Sequence, residues 1–457
     1  MRGRIRKGSA RALPCSFLVL LLFATSTGFF TIAQGADGNA QDWPMLGGDP
    51  SRGFHRPVTI TPPLEVKWKY APRIASESFY VGSSPAVYGD MVLVGGRDGN
   101  LRALGTGDGK VVWTFKTKGP IHSSPTIIQG TAYVGSDDGY VYAVNVDTGR
   151  LVWQYKTGDN VWSSPTLSQG TIYIGSNDGN LYALDSSTGT LKWKFKAGLW
   201  IVSSPTVVED RVYFASDGGD LYALNSATGE MIWSRFLENR VWSTPSYFEG
   251  RLYVNSRSSY TYSINASSGA ILWRYALGYA SFSSVAIANG IVYTNSEDLH
   301  VHAVNATNGK SLWASATGAG MYANTPVVAG EVIYATATDG FLYALDAQHG
   351  AMLWKYDTGA HIFSSPAISD GIIYVHSADD SVYAFANQAN QPREIVKLLP
   401  GDARISPLLP EGPQSERPPV PDVHKNPSAD LQQWVIVTLG GALGVVLIVL
   451  ARRRHHV

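Results

Sequence analysis

Apolar and polar positions along this chain alternate in short runs cut by turn residues, a period-two pattern that predicts strands rather than helices. Residues 123 to 156 show the unit. Ser123-Ser124-Pro125 leads into a short strand over 126–129, and Gly130 turns it. A second strand is expected over 131–135. Asp137-Asp138-Gly139 follows as a hairpin turn, because glycine accepts the positive φ that such turns need. A third strand over 140–144 has alternating faces, Asp147-Thr148-Gly149 turns again, and a fourth strand over 150–156 carries Trp153.

The unit repeats. Trp68, Trp113, Trp153, Trp193, Trp233, Trp273, Trp313 and Trp354 form one series, spaced by 40 from Trp113 to Trp313 and by 41 at the end. Ser-Ser-Pro, ending at Pro85, Pro125, Pro165, Pro205 and Pro366, forms a second. It degenerates to Ser243-Thr244-Pro245, Ser283-Ser284-Val285 and Asn324-Thr325-Pro326. Four antiparallel strands every 40 residues or so mark a propeller blade. The expected fold is all-β: an eight-bladed propeller of four-stranded blades over 42–390. No Trp strand follows the last Ser-Ser-Pro unit. Leu64 to Tyr70, with Trp68, is therefore expected to supply the outer strand of the last blade and close the ring. Residues 394–398 are a rival for that place, but lack the Trp. The Trp series keeps step with the turn glycines Gly109, Gly149, Gly189, Gly229, Gly269, Gly309 and Gly350. Each Trp is expected to wedge a blade seam, a structural role.

The two ends break the pattern. Arg2, Arg4, Arg6, Lys7 and Arg11 precede a mostly apolar stretch from Phe17 to Phe30, and small and polar residues follow. Residues 1–34 read as a signal peptide, with an uncleaved anchor as the alternative. Cys15 precedes the apolar core, whereas a lipoprotein cysteine would follow it. Residues 391–433 form an extended, Pro-rich spacer. Trp434 to Leu450 carries no charge and is long enough, at about 1.5 Å per residue, for a short membrane crossing. We read 434–451 as a transmembrane helix and 452–457, with Arg452, Arg453 and Arg454, as a basic cytoplasmic tail. Gly440 and Gly444 give a G-x-x-x-G pair, a weak signal for a transmembrane-helix dimer. The propeller is thus expected outside the cytoplasm.

Composition narrows the function. Lys plus Arg number 36 and Asp plus Glu number 36, so no net charge draws the chain to nucleic acid. One Cys excludes a disulfide scaffold and an all-Cys metal centre.

The runs Ala143-Val144-Asn145…Thr148-Gly149…Trp153 and Ala183-Leu184-Asp185…Thr188-Gly189…Trp193 resemble the pyrroloquinoline-quinone-type propeller repeat, A-x-D/N-x-x-T-G-x-x-x-W. The opening Asp42-Trp43-Pro44-Met45-Leu46-Gly47-Gly48-Asp49, followed by Gly53, is similar to the amino-terminal segment of the same proteins. The resemblance spans roughly 42–387 and implies two functional classes. Quinoprotein alcohol and sugar dehydrogenases bind the quinone and calcium in the central funnel. The bacterial outer-membrane assembly propeller lipoprotein uses a similar body as a scaffold without cofactor.

The enzyme class finds little support in the residues. The even Trp spacing leaves no insertions to build an active-site roof, and the body holds no cysteine pair to lie over a quinone. Asp98, Asp138, Asp178, Asp298, Asp339 and Asp379 recur with the period, as hairpin residues do. His300 and His302 share a strand face and can both reach a metal. His302, however, stands at the Tyr142 and Tyr182 position, which reads as a core substitution. His122 and His361 are isolated. No catalytic, cofactor-binding or metal-binding set stands out, and no cofactor is expected. The main reading is a membrane-anchored, non-catalytic protein-binding or scaffold module of the cell envelope. The alternative is a quinone- and calcium-dependent oxidoreductase of alcohols or sugars.

A partner would meet the rim that precedes each Ser-Ser-Pro. Aligned positions hold His122, Trp162, Val202, Trp242, Phe282 and Tyr322, and the position two earlier holds Asn160, Trp200 and Arg240. The candidate rim is Trp162, Trp200, Arg240, Trp242, Phe282 and Tyr322, for an envelope or membrane protein, a glycan or a peptide. The other account of these aromatics is that they fill space near the channel mouth.

Overall fold

The computed structural model describes residues 42–72, 82–320 and 324–387. The expected signal peptide, spacer, transmembrane helix, tail and Tyr322 lie outside them.

Eight antiparallel sheets follow one another along the chain, each running from an inner strand to an outer one. Blades 1 to 7 span Ala86–Lys116, Thr126–Lys156, Thr166–Lys196, Thr206–Phe236, Ser246–Ala276, Ala286–Ala316 and Val327–Asp357. Blade 8 takes three strands from Ala367–Asn387 and its outer strand from Leu64–Tyr70, in register from Leu64 opposite Asn387 to Tyr70 opposite Val382. The sequence-based closure is the observed one. Blade 7 carries a fifth strand, His55–Arg56, parallel to its inner strand.

Burial differs from the alternation expected of the third strand. Val141, Tyr142, Ala143 and Val144 are all buried, because a middle strand lies between two neighbouring sheets and has no water face. The outer strand keeps one. In blade 2 its exposed Leu151 and Val152 precede the buried Trp153. All eight outer strands are bulged at the residue before the Trp. A bulge twists an edge away from further pairing, so exposed apolar pairs such as Leu151-Val152 do not lie on a flat, sticky strand.

Each seam has one design. Trp113 donates its indole N–H to Val146 O at 2.7 Å in the next blade. Its ring lies on Gly149, where an added Cβ would come within 2.7 Å of it. Trp68, Trp153, Trp193, Trp233, Trp273 and Trp313 repeat both contacts. Trp354 differs. Blade 8 takes its outer strand from the amino end and so lacks the turn that would receive it, and Trp354 packs on Tyr356 and Phe385 instead.

The Ser-Ser-Pro motif makes a belt. The N–H of Ser84 donates to the hydroxyl of Ser124, Ser124 to Ser164, Ser164 to Ser204 and Ser204 to Thr244. Thr244 donates to Ser284, Ser284 to Thr325, Thr325 to Ser365 and Ser365 back to Ser84. This closed circuit satisfies eight buried amides just ahead of the inner strands, which an apolar residue would leave unpaired. It also explains why Thr replaces Ser twice without loss.

Inside the ring lies the segment from Asp42 to Arg56. Its carbonyls at Pro44, Pro50, Ser51, Gly53 and Phe54 accept the N–H groups of Ile127, Val207, Tyr247, Ile287 and Val328, one from each of five inner strands. Arg52, with 0 % exposure, reaches Pro165 O at 2.9 Å, Pro205 O, Leu46 O and the Thr166 hydroxyl. Burial pulls its guanidinium down to about 9, against a small opposing pull from Asp49.

Candidate functional site

The loops joining each outer strand to the next inner strand share a face with the turns between second and third strands. Each loop is held by an apolar anchor: Ile121, Val161 and Ile201 fill the space above Gly95, Gly135 and Gly175, where no Cβ would fit. The backbone then zips to the turn, with Asp137 N–H on Pro120 O, Asn177 N–H on Asn160 O, Asp217 N–H on Trp200 O and Arg257 N–H on Arg240 O. The residue after each anchor projects beside the turn residue of the preceding blade.

At blades 2 to 6 these side chains meet over the channel mouth. Trp162 donates its indole N–H to Asp137 Oδ1 at 2.8 Å, and Trp242 donates to Asp217 Oδ1 at 2.7 Å. The two indoles meet edge to face, with centroids 6.5 Å apart, and Trp200 packs edge to face on Trp162 at 6.3 Å. His122 lies against Trp162 and Phe282 against Trp242. Arg240 sits 3.5 Å from the Asp217 carboxylate, and Arg257 covers Phe282. The structure thus brings Trp162, Trp200, Arg240, Trp242 and Phe282 together. Phe282 is buried, whereas Trp200 is 45 % exposed.

Sequence reasoning missed the polar half of this cluster. Asp137, Asn177 and Asp217 stand one residue before the periodic turn Asp or its Gly replacement. The signal was the variation at that place, from Arg97 through Asp137, Asn177, Asp217 and Arg257 to Glu297, inside an otherwise constant frame.

The periodic Asp residues have another partner. Asp138 accepts the hydroxyl of Tyr142 at 2.7 Å and Asp178 that of Tyr182 at 2.6 Å. In blade 6, Asp298 takes His302 Nε2 at 2.9 Å, so His302 fills the Tyr place in the frame. Burial works to raise the Asp298 carboxyl, but the hydrogen bond and charge of His302 outweigh it and hold it down to about 2. No group of three or more His, Cys, Asp or Glu side chains suited to a metal occurs among the described residues.

A family model described as the propeller of the beta-alanine-activating enzyme matches residues 106–386. The chain belongs to that propeller family. No curated protein matches it. Among solved structures, BamB from Moraxella catarrhalis is 20 % identical with a TM-score of 0.63, over 73 % of this chain and all of that one. The quinohemoprotein alcohol dehydrogenase of Comamonas testosteroni is 15 % identical, TM-score 0.65, over 77 % of this chain and 82 % of that one. A europium-containing methanol dehydrogenase is 13 % identical, TM-score 0.65, over 76 % and 98 %. The fold is thus an eight-bladed propeller related to those of quinone-dependent dehydrogenases and of BamB-like assembly propellers. At these identities the likeness concerns fold and does not separate scaffold from oxidoreductase.

The quinone and calcium implied by the dehydrogenases can be tested against the mouth. A planar quinone needs a slot beside an aromatic face and oxygen ligands free for a cation. Trp162 is instead packed edge to face by both Trp200 and Trp242. Asp137 and Asp217 are engaged by indole N–H groups.

Proposed function

We propose that the protein is a non-catalytic binding propeller of the cell envelope, tethered with its ring outside the cytoplasm. Its loop face over blades 3 to 6 captures an envelope or membrane protein. One observation carries the reading. On a frame that repeats residue for residue, the loop face of these blades gathers exposed Leu199, Trp200, Phe236 and Tyr279 with Arg240 and Arg257. Trp, Tyr and Arg are the side chains that most often dominate interface energy. The fold shared with BamB adds support. The tether is read from the apolar, charge-free stretch ahead of Arg452.

A photo-reactive residue at Leu199, beside Trp200, tests both the face and its location. In intact cells it should give a discrete adduct that Trp200→Ala and Arg240→Ala reduce about tenfold or more, the effect of losing roughly 1.4 kcal/mol or more. Protease added to spheroplasts should release the adduct-bearing body. No adduct, adducts indifferent to both substitutions, or a body cut only after lysis would contradict the reading.

A second reading, an alcohol or sugar oxidoreductase using quinone and calcium, draws on the dehydrogenases among the similar structures. Asp137, Asn177 and Asp217 are the oxygen-bearing groups at the mouth that it would have to use.

A further inference from the structure

Within the mouth one buried group lacks a partner. Asn177 is 6 % exposed, and its Oδ1 has no hydrogen-bond partner among the described residues. The repeat supplies the reason. In blades 2 and 4 the equivalent residues, Asp137 and Asp217, receive the indole N–H of a Trp 25 positions onward. The residue 25 positions after Asn177 is Val202, which has no donor to offer. The backbone of Asn177 is zipped to its loop as those of Asp137 and Asp217 are, which aims its side chain at the same mouth. A buried acceptor without a donor is destabilising, so an entering donor would gain by meeting it.

The walls around this acceptor are of two kinds. Trp162 and Trp242 are fixed by their carboxylates, whereas the indole N–H of Trp200 makes no hydrogen bond among the described residues, and its ring is 45 % exposed. Trp200 is the exposed side of a cluster whose other two indoles are pinned. The charge is also spoken for, since Asp137 holds Trp162 and Asp217 holds Trp242 with Arg240 beside it. The occupant is therefore neutral, has hydroxyl or amide donors, and presents C–H faces to indoles.

We propose that the mouth binds a neutral saccharide, one sugar ring lying against Trp200 with a hydroxyl donating to Asn177 Oδ1. The proposal rests on the proposed function and deepens it: the captured envelope or membrane protein is met at the mouth through its saccharide. The test uses the full chain in a detergent without sugar headgroups, titrated with maltohexaose, cellohexaose, mannohexaose, tetragalacturonate and a proline-rich decapeptide. Tryptophan fluorescence and saturation-transfer NMR are read together. At least one neutral hexasaccharide should give a saturable change that Trp200→Ala and Asn177→Val each weaken about tenfold, or roughly 1.4 kcal/mol. The anionic oligosaccharide should bind more weakly than the neutral one. If Asn177→Val fails to fold, Trp200→Ala, at an exposed side chain, decides alone. No saturable change with any neutral hexasaccharide, equal binding by the variants, or binding of the decapeptide alone overturns the saccharide. Persistence of the Leu199 adduct in that case leaves the binding face standing, and its loss as well removes both.

Discussion

A turn aspartate followed four positions later by a side chain that can donate to it is the smallest unit of this molecule. Tyr142, Tyr182 and Tyr343 fill the donor place in blades 2, 3 and 7, and His302 does so in blade 6. In blade 6 the pair gives a pH dependence that can be followed. Asp298 is held down to about 2 from its ordinary 3.8, so its contribution is complete above about pH 4 and is lost as pH falls toward 2. His302→Phe removes the hydrogen bond and should flatten the pH dependence of urea-melt stability between those values. An unchanged slope would show that Asp298 is not coupled to folding through His302. At this scale the sequence was only partly legible. The periodic Asp could be read as a turn residue because period alone marks it. Asn177 and Arg52 could not be singled out, since the meaning of each depends on side chains that only the closed ring brings near.

The blade is the next scale, and its seams carry most of its packing. Trp193 joins blade 3 to blade 4 through Ser226 O at 3.0 Å and through Gly229, and packs on Tyr173 of its own blade, the ring centroids 5.8 Å apart. Trp193→Ala should cost about 3–5 kcal/mol, the usual range for an aromatic truncated in a packed site. Leu191→Ala, two residues away on the exposed edge, should stay within about 0.5 kcal/mol. Denaturant melts of the two side by side check the contrast, and similar losses would mean that the seam does not govern the blade. The blades themselves were plain in the sequence, because Trp and Ser-Ser-Pro keep one period. The burial of both faces of the third strand was not, since alternation in a sequence does not reveal a second sheet packed on the polar side. That Trp354 lacks a turn to receive it follows from the amino-end origin of the last strand, which the sequence did indicate.

Over the whole ring three devices serve closure, two at the join of blade 8 to blade 1 and one inside the ring. The amino-end strand pairs across the gap, the hydroxyl belt runs through it from Ser365 to Ser84, and the segment around Arg52 ties five inner strands from within. The same segment pairs with the inner strands inside the ring. The first device was expected from the missing last Trp. The other two were hidden, because a serine motif and a glycine-rich opening acquire partners only when residues 40 or more apart become neighbours. The central claim is that this mouth recognises a partner and carries out no redox chemistry. The most direct test is titration of the purified full chain with pyrroloquinoline quinone and calcium, read by quinone absorbance and by dye reduction with alcohols and sugars. The account predicts no stoichiometric uptake of quinone and no dye reduction above the protein-free control. Stoichiometric uptake with substrate-dependent dye reduction would contradict it and make the protein an oxidoreductase.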